Sequence, residues 1–231
     1  MKVIVLHATD IIKGKRTNVN KACSDYISNV LGLTNPLIIF LAGGASTDWR
    51  VDVEKQIVKG LQRVTSKIYD GVLVCDPKTD GIGKTIKYSQ LIEWESFFLE
   101  NADMLAFNFE GSQTDQPFSL FELGRYGASF ISDMAKNYTK FRSELDTCER
   151  VKRKMNLTGY RLSVNVNPLY RQKFGMMKQL KLMAGETMLK DDCYKWIWSK
   201  ITFTEYMEPH LFGGTLTARA KYILKNTSVE W

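Results

Sequence analysis

An α/β protein with a doubly wound, mostly parallel sheet and helices on both faces is the fold class that this sequence predicts. Two observations carry it. Apolar runs repeatedly end in polar or glycine-bearing loops and are followed by stretches of helical spacing, and that strand, loop, helix order occurs three times. The run Leu37 to Ala42 (LIIFLA) is also apolar throughout, which suits a strand buried on both faces at the centre of a parallel sheet. Such a sheet is of the Rossmann or flavodoxin kind.

The first strand opens directly into Gly43-Gly44, where the backbone can turn sharply and come close to a ligand. Helical spacing follows at Val53, Ile57, Leu61 and Val64. Gly71 to Cys75 (GVLVC) reads as a second strand, stopped at Asp76-Pro77, because proline cannot donate to the ladder. A helix is expected over about Tyr88 to Asn101, and a third strand over Met104 to Phe109. After the polar loop Glu110 to Gln116, Pro117 stands at a helix entrance, where its missing N–H is no loss. A fourth strand is expected at Arg161 to Val166, with helical spacing resuming near Met176 to Met183 and Cys193 to Ile201.

With 231 residues the chain is long enough for one sizeable core, and no linker or repeat divides it. It reads as one domain over 1–231. Residues 1–36 form an N-terminal extension packed on that domain, and about 135–160 a basic helical insertion. A hydrophobic fraction of 44% with 25% charged residues is ordinary for a globular chain. No apolar run reaches the roughly 20 residues needed to span a bilayer. The start, MKVIVLHATD, reads as a short strand meeting polar residues and lacks the longer apolar stretch of a signal peptide, so a cytoplasmic protein is expected.

The four cysteines are widely spaced and the only histidines are His7 and His210, which argues against a zinc ribbon, a redox dithiol or a His-rich metal site. No metal and no cofactor is implied. There is no GxSxG elbow, so if the chain is an enzyme, carboxylates carry its proton and nucleophile chemistry. From Lys136 to Lys181, twelve Lys or Arg face three acids. That excess would attract phosphate groups, or simply form a solvated helix face. Without a helix-turn-helix, zinc-finger or RNP pattern, nucleic-acid binding is disfavoured.

In open sheets ligands bind beyond the carboxyl ends of the strands. Three segments converge there: Gly43 to Arg50, Asp76 to Lys84, and Glu110 to Glu122. Glu122 lies in the first turns of a helix whose N-terminus faces this crevice, so the helix dipole should favour its ionised form by a few tenths to about 1 kcal/mol. Ile92-Glu93-Trp94-Glu95 puts two carboxylates around a tryptophan. Neighbouring helical residues point about 100° apart, so at most one of the two faces the site.

Five pieces, in order, resemble the nucleoside 2-deoxyribosyltransferase superfamily: Ile39-Phe40-Leu41-Ala42-Gly43-Gly44, Asp48-Trp49-Arg50, Ile92-Glu93-Trp94-Glu95, Ala102-Asp103-Met104-Leu105-Ala106-Phe107 and Phe121-Glu122-Leu123-Gly124. The resemblance covers roughly residues 37 to 126, with a weaker continuation through Arg161 to Met183. The superfamily includes transferases that exchange bases on 2-deoxyribose and hydrolases that cleave deoxynucleoside monophosphates. It implies that Glu122 is the nucleophile, that Glu95 stands where better-known members have an acidic aspartate, and that Phe40 stands at the strand-end aromatic but lacks a hydroxyl. Gln116, beside Asp115, occupies an acidic position of base-exchanging members.

The resemblance implies a retaining displacement. Glu122 attacks C1′ while Glu95, Asp48 or Asp115 assists the leaving base. Trp49 and Phe109 would stack on the base or pack in the core, and Ser46 and Ser119 would bind a hydroxyl or phosphate, or cap helices. Gly43 and Gly44 would approach the ligand. The expected partner is a small-molecule nucleoside or nucleotide, with a homo-oligomer possible, since enzymes of this family commonly complete their sites across subunits. A non-catalytic module that sequesters a nucleotide, or a nucleic-acid-binding protein, are the competing readings.

Overall fold

Five strands pair in parallel in the order β1-β3-β2-β4-β5, which agrees with the predicted fold class. They are β1 (Lys2–Leu6), β2 (Pro36–Gly43), β3 (Gly71–Cys75), β4 (Met104–Phe109) and β5 (Leu162–Val166). The computed structural model describes residues 1–12, 18–44, 47–78, 86–111, 116–144, 148–183, 191–202 and 206–227. The strands from Leu37, Gly71, Met104 and Arg161 fall where the apolar runs placed them, within a residue or so.

The N-terminal residues, read as an extension, contain a strand of the sheet itself. Lys2 to Leu6 pair in register with Gly71 to Cys75 and form its edge. Partly exposed β1 is less apolar than the central strands, so its pattern is weaker.

Nine α-helices occur among the described residues: α1 (Ala8–Ile11), α2 (Val19–Asp25), α3 (Trp49–Leu61), α4 (Tyr88–Asn101), α5 (Pro117–Phe141), α6 (Glu149–Tyr160), α7 (Lys173–Met183), α8 (Asp191–Ile201) and α9 (Pro209–Asn226). None is long and apolar enough to cross a membrane. The stretch expected to be basic and helical comprises the end of α5 and the whole of α6.

Alternation along β2 divides the core. Leu37, Ile39 and Leu41 pack with Val53 and Ile57 of α3 and with Phe212, Leu216 and Ala220 of α9. Ile38, Phe40 and Ala42 face the other way, against Trp94 and Phe98 of α4 and the apolar stripes of α2, α5, α7 and α8. Each such fully buried side chain contributes about 1.5–3 kcal/mol relative to an exposed one. Steps from β1 to β2, β3 to β4 and β4 to β5 run one way across the sheet and carry their helices on the second of these faces. The step from β2 to β3 runs the opposite way, and α3 lies on the first face. A uniform crossover hand demands that reversal. After it, the connections leaving β2 and β4 diverge, which opens a crevice at their carboxyl ends.

Candidate active site

The crevice is a pocket of about 950 Å³, floored by Ala42, Gly43 and Gly44 at the end of β2 and walled by α4 and α5. From α4 come Leu91, Glu95 and Leu99, one stripe at i, i+4 and i+8. From α5 come Ser119, Glu122 and Tyr126, again on one face. Trp94 lies on the other side of α4, buried against Phe40 at 6.2 Å. Glu93 is exposed and does not line the pocket. Of the two carboxylates around the tryptophan, Glu95 is therefore the one that faces the site.

The floor depends on two glycines. Gly43 has φ +137°, and a Cβ there would lie 2.2 Å from the carbonyl oxygen of Asn108. At Gly44 a Cβ would lie 2.4 Å from a Glu110 carboxylate oxygen and 3.0 Å from Gln116 Oε1. Only glycine lets β2 end this close to β4. Gln116, in the left-handed region at φ 45°, turns the chain into Pro117, which opens α5. The Gln116 amide donates to Glu110 O at 3.3 Å.

Beneath the floor lies Arg50, buried on the first turn of α3. Its Nε donates to Leu41 O at 3.0 Å, Nη1 to Gly44 O at 2.9 Å and Nη2 to Gly43 O at 2.9 Å. Asp76, at the end of β3, sits 3.2 Å from Nε and accepts from the backbone N–H of Lys78 at 2.8 Å. Burial pulls the Arg50 guanidinium down from its ordinary range, while Asp76, Glu110, Glu122 and Glu95 oppose that. One buried cation thus ties the glycine turn to the carboxylates of the pocket.

Burial pushes Glu95 up to about 7, with Arg50 pulling it back. Burial and then the charge of Glu95 push Glu122 up to about 8, again opposed by Arg50. The helix-dipole expectation for Glu122 is corrected here. Glu122 is the sixth residue of α5, past the first turn where the dipole is strong, and loss of water outweighs it. The charge of Glu95 disfavours ionisation of Glu122, so Glu122 keeps its proton to higher pH than Glu95 does.

Residues 36–133 match the family model described as nucleoside 2-deoxyribosyltransferase like. That match supports the superfamily read from the motifs. It runs from the first residue of β2 into α5 and contains every residue lining the pocket. A comparison with curated proteins finds no match.

Not every residue that the sequence proposed for this site lines it. Gly43, Gly44, Glu95, Gln116, Ser119 and Glu122 do. Asp48 does not: its side chain is 80% exposed, forms an ion pair with Lys78, and is held below its ordinary range by that ammonium. Trp49 is buried against Phe212 at 6.2 Å and donates its indole N–H to Gly44 O at 2.8 Å, so its face is spent on the core. Phe109 stacks on Phe107 and packs on Tyr170, and Phe40 is buried under Trp94. Trp49 belongs to the core on one face of the sheet and Phe40 and Phe109 to that on the other. Ser46 and Asp115 lie outside the described residues.

Sequence reasoning missed Arg50 and Asp76 as site residues. Arg50 stood within a motif, but its sole signal was an arginine in the first turn after a glycine pair, and its charge partner lies on another strand. Among the described residues, one group of side chains could hold a metal. His7, Glu54 and Asp76 offer ligand atoms within 4.8 Å of one another, although Asp76 is already engaged by Arg50. Burial, followed by Asp76, raises Glu54 above its ordinary range.

Proposed function

We propose that the protein cleaves or transfers the N-glycosidic bond of a nucleoside or nucleotide, with Glu122 as nucleophile and Glu95 as acid and base. The observation that carries this is two half-buried glutamates, both raised by loss of water, facing one pocket beside the buried Arg50 guanidinium. With one proton between them, one carboxylate can attack and one carboxylic acid can donate, as a retaining displacement needs; the order of their shifts keeps that proton on Glu122, so attack requires its transfer to Glu95.

The Glu122 carboxylate bonds to C1′ as the C1′–N bond breaks, and the proton of Glu95 goes to the departing base nitrogen. The glycosyl ester on Glu122 is then attacked at C1′ by water or a second base, whose proton passes to Glu95. Arg50 moderates the charge of both carboxylates through the cycle. Leu91 and Leu99 offer apolar wall to the base and sugar, in a pocket within the usual ligand range of about 300–1,000 Å³. Lys78 and Arg125 line the same pocket, ion-paired with Asp48 and, at 3.5 Å, with Glu100, and would meet a 5′-phosphate by exchanging those partners.

The test is incubation with nucleosides and with their 5′-monophosphates, each with and without a second base. Free sugar or sugar phosphate marks hydrolysis, and a new nucleoside marks transfer. Glu122→Ala turning over at the wild-type rate would sink the nucleophile assignment. A ligand recovered intact from the wild-type protein after long incubation would instead favour a sequestering module.

A further inference from the structure

Two features of the sequence have no part in the site above: the basic run that begins near Lys136, and the aromatic helix α8. They meet at a second pocket, of about 320 Å³, enclosed by α5, α6 and α8 and sharing no residue with the first. We propose that this pocket binds the phosphate group of a small phosphorylated molecule, through Arg142, Lys152 and Lys200, with Trp196 and Tyr138 as its apolar wall.

Three cations from three helices converge here, which simple solvation of a charged face does not require. Arg142 reaches in from the end of α5 with Asp192 3.4 Å away, and Lys152 comes from α6 with Glu149 4.0 Å away. Lys200, on the last turn of α8, is half-buried, and among the described residues no carboxylate lies within ion-pair distance of it. Its contacts are Asn156 Oδ1 at 3.5 Å and the Trp196 ring, 5.7 Å from its nitrogen. Burial and the neighbouring charges of Arg219 and Lys152 all disfavour its ammonium. A partly desolvated cation among cations is costly unless an anion joins it.

A dianionic phosphate answers three positive groups better than a single carboxylate, and such charge-assisted hydrogen bonds are about twice as strong as neutral ones. Trp196 packs on Tyr138 at 5.2 Å and Arg142 lies 6.0 Å from the Tyr138 ring, so aromatic surface is continuous with the charge. The volume suits a compact ligand, at the lower end of ordinary binding pockets. From Glu122 to Tyr138 along α5 is about 24 Å at 1.5 Å per residue, so the two pockets are separate.

The experiment is calorimetric titration of the full chain with inorganic phosphate and with ribose 5-phosphate, followed also by tryptophan fluorescence. Saturable one-to-one binding at this site is expected, with Lys200→Gln and Arg142→Gln each weakening it about tenfold. Lys200→Arg should restore binding, and Trp196→Phe should abolish the fluorescence change but not the heat. Equal affinity for both ligands would mean that the phosphate group alone is recognised, and a preference for the ester would give the wall a role. Binding that survives both charge removals, or that is lost with Lys78→Gln and Arg125→Gln instead, overturns the assignment. So does a steeply salt-dependent affinity for an oligonucleotide without any for the small phosphates.

Discussion

Glu122→Gln should make the protein more stable, and by an amount that grows with pH. In the folded chain Glu122 is pushed up to about 8 from an ordinary 4.5. A carboxyl raised in this way contributes stability that is fully present below its unfolded value and lost as pH rises through its folded value. Near pH 7 the unfolded chain ionises this residue while the folded chain keeps it protonated. The difference of about 2.5 units costs roughly 3 kcal/mol at 1.36 kcal/mol per unit. Near pH 5 the same arithmetic gives about 1 kcal/mol, and above pH 8 it levels off near 5 kcal/mol. Glutamine keeps the shape but never ionises, so the variant escapes the cost. Urea unfolding of both proteins at pH 5, 7 and 8.5 reads the gap directly. In thermal scans each 1 kcal/mol should appear as about 2–4 °C. A gap that stays flat with pH, or a variant less stable than the parent at pH 7, would refute the claim that burial outweighs Arg50 at this carboxylate.

Other outcomes follow from the same geometry. Attack needs Glu122 ionised, at about 8, and departure needs Glu95 protonated, at about 7, so activity against pH should be a narrow bell that peaks between the two values; Glu95→Gln should abolish its alkaline fall while lowering turnover on poor leaving groups, and an unchanged profile would remove Glu95 from the chemistry. Asp76→Asn leaves the Arg50 guanidinium buried without its counter-charge, so a loss of about 3–5 kcal/mol in denaturant unfolding is expected. The acid limb of the rate profile should then move to lower pH, because the charge of Arg50 is shared by fewer carboxylates. Gly43→Ala forces a Cβ into the Asn108 backbone at a strained φ and should cost at least 1–3 kcal/mol by order of magnitude, whereas Gly124→Ala meets nothing within 4 Å on α5 and should stabilise by about 0.5–1 kcal/mol. Comparable melting temperatures for the two alanine variants would contradict this. Tyr88, Ile92, Phe118 and Phe121 leave an exposed apolar rim on α4 and α5 around the pocket, and sedimentation of a Phe118→Ser, Phe121→Ser protein against wild type tests whether that rim joins two copies.

How much was legible beforehand depended on how local each signal is. Unbroken apolar runs such as Leu37 to Ala42 must be buried on both faces, so the sheet and its parallel sense followed from the chain alone. The helix expected over about Tyr88 to Asn101 and the entrance at Pro117 placed both helices of the site. The start of the chain read as a short strand, but its place in the sheet was not recognised, and neither was the late helix α9. Their residues make sense only against the sheet, β1 beside β3 and α9 over β2 and α3. The roles of single side chains were the least legible. Trp49, Phe109 and Phe40 have the composition of a ligand wall, but packing turned them inward. Asp48 has the right charge and lies at the right loop, yet it points to solvent and Lys78. Arg50 and Asp76 come from different elements and meet only when β2 and β3 pair. The ionisation of Glu122 likewise depends on water excluded by α4, on Glu95 and on Arg50. The order of apolar and glycine residues sets a local conformational preference and so specifies the scaffold. Charge state and proximity depend on long-range burial, and only the tertiary structure decided them.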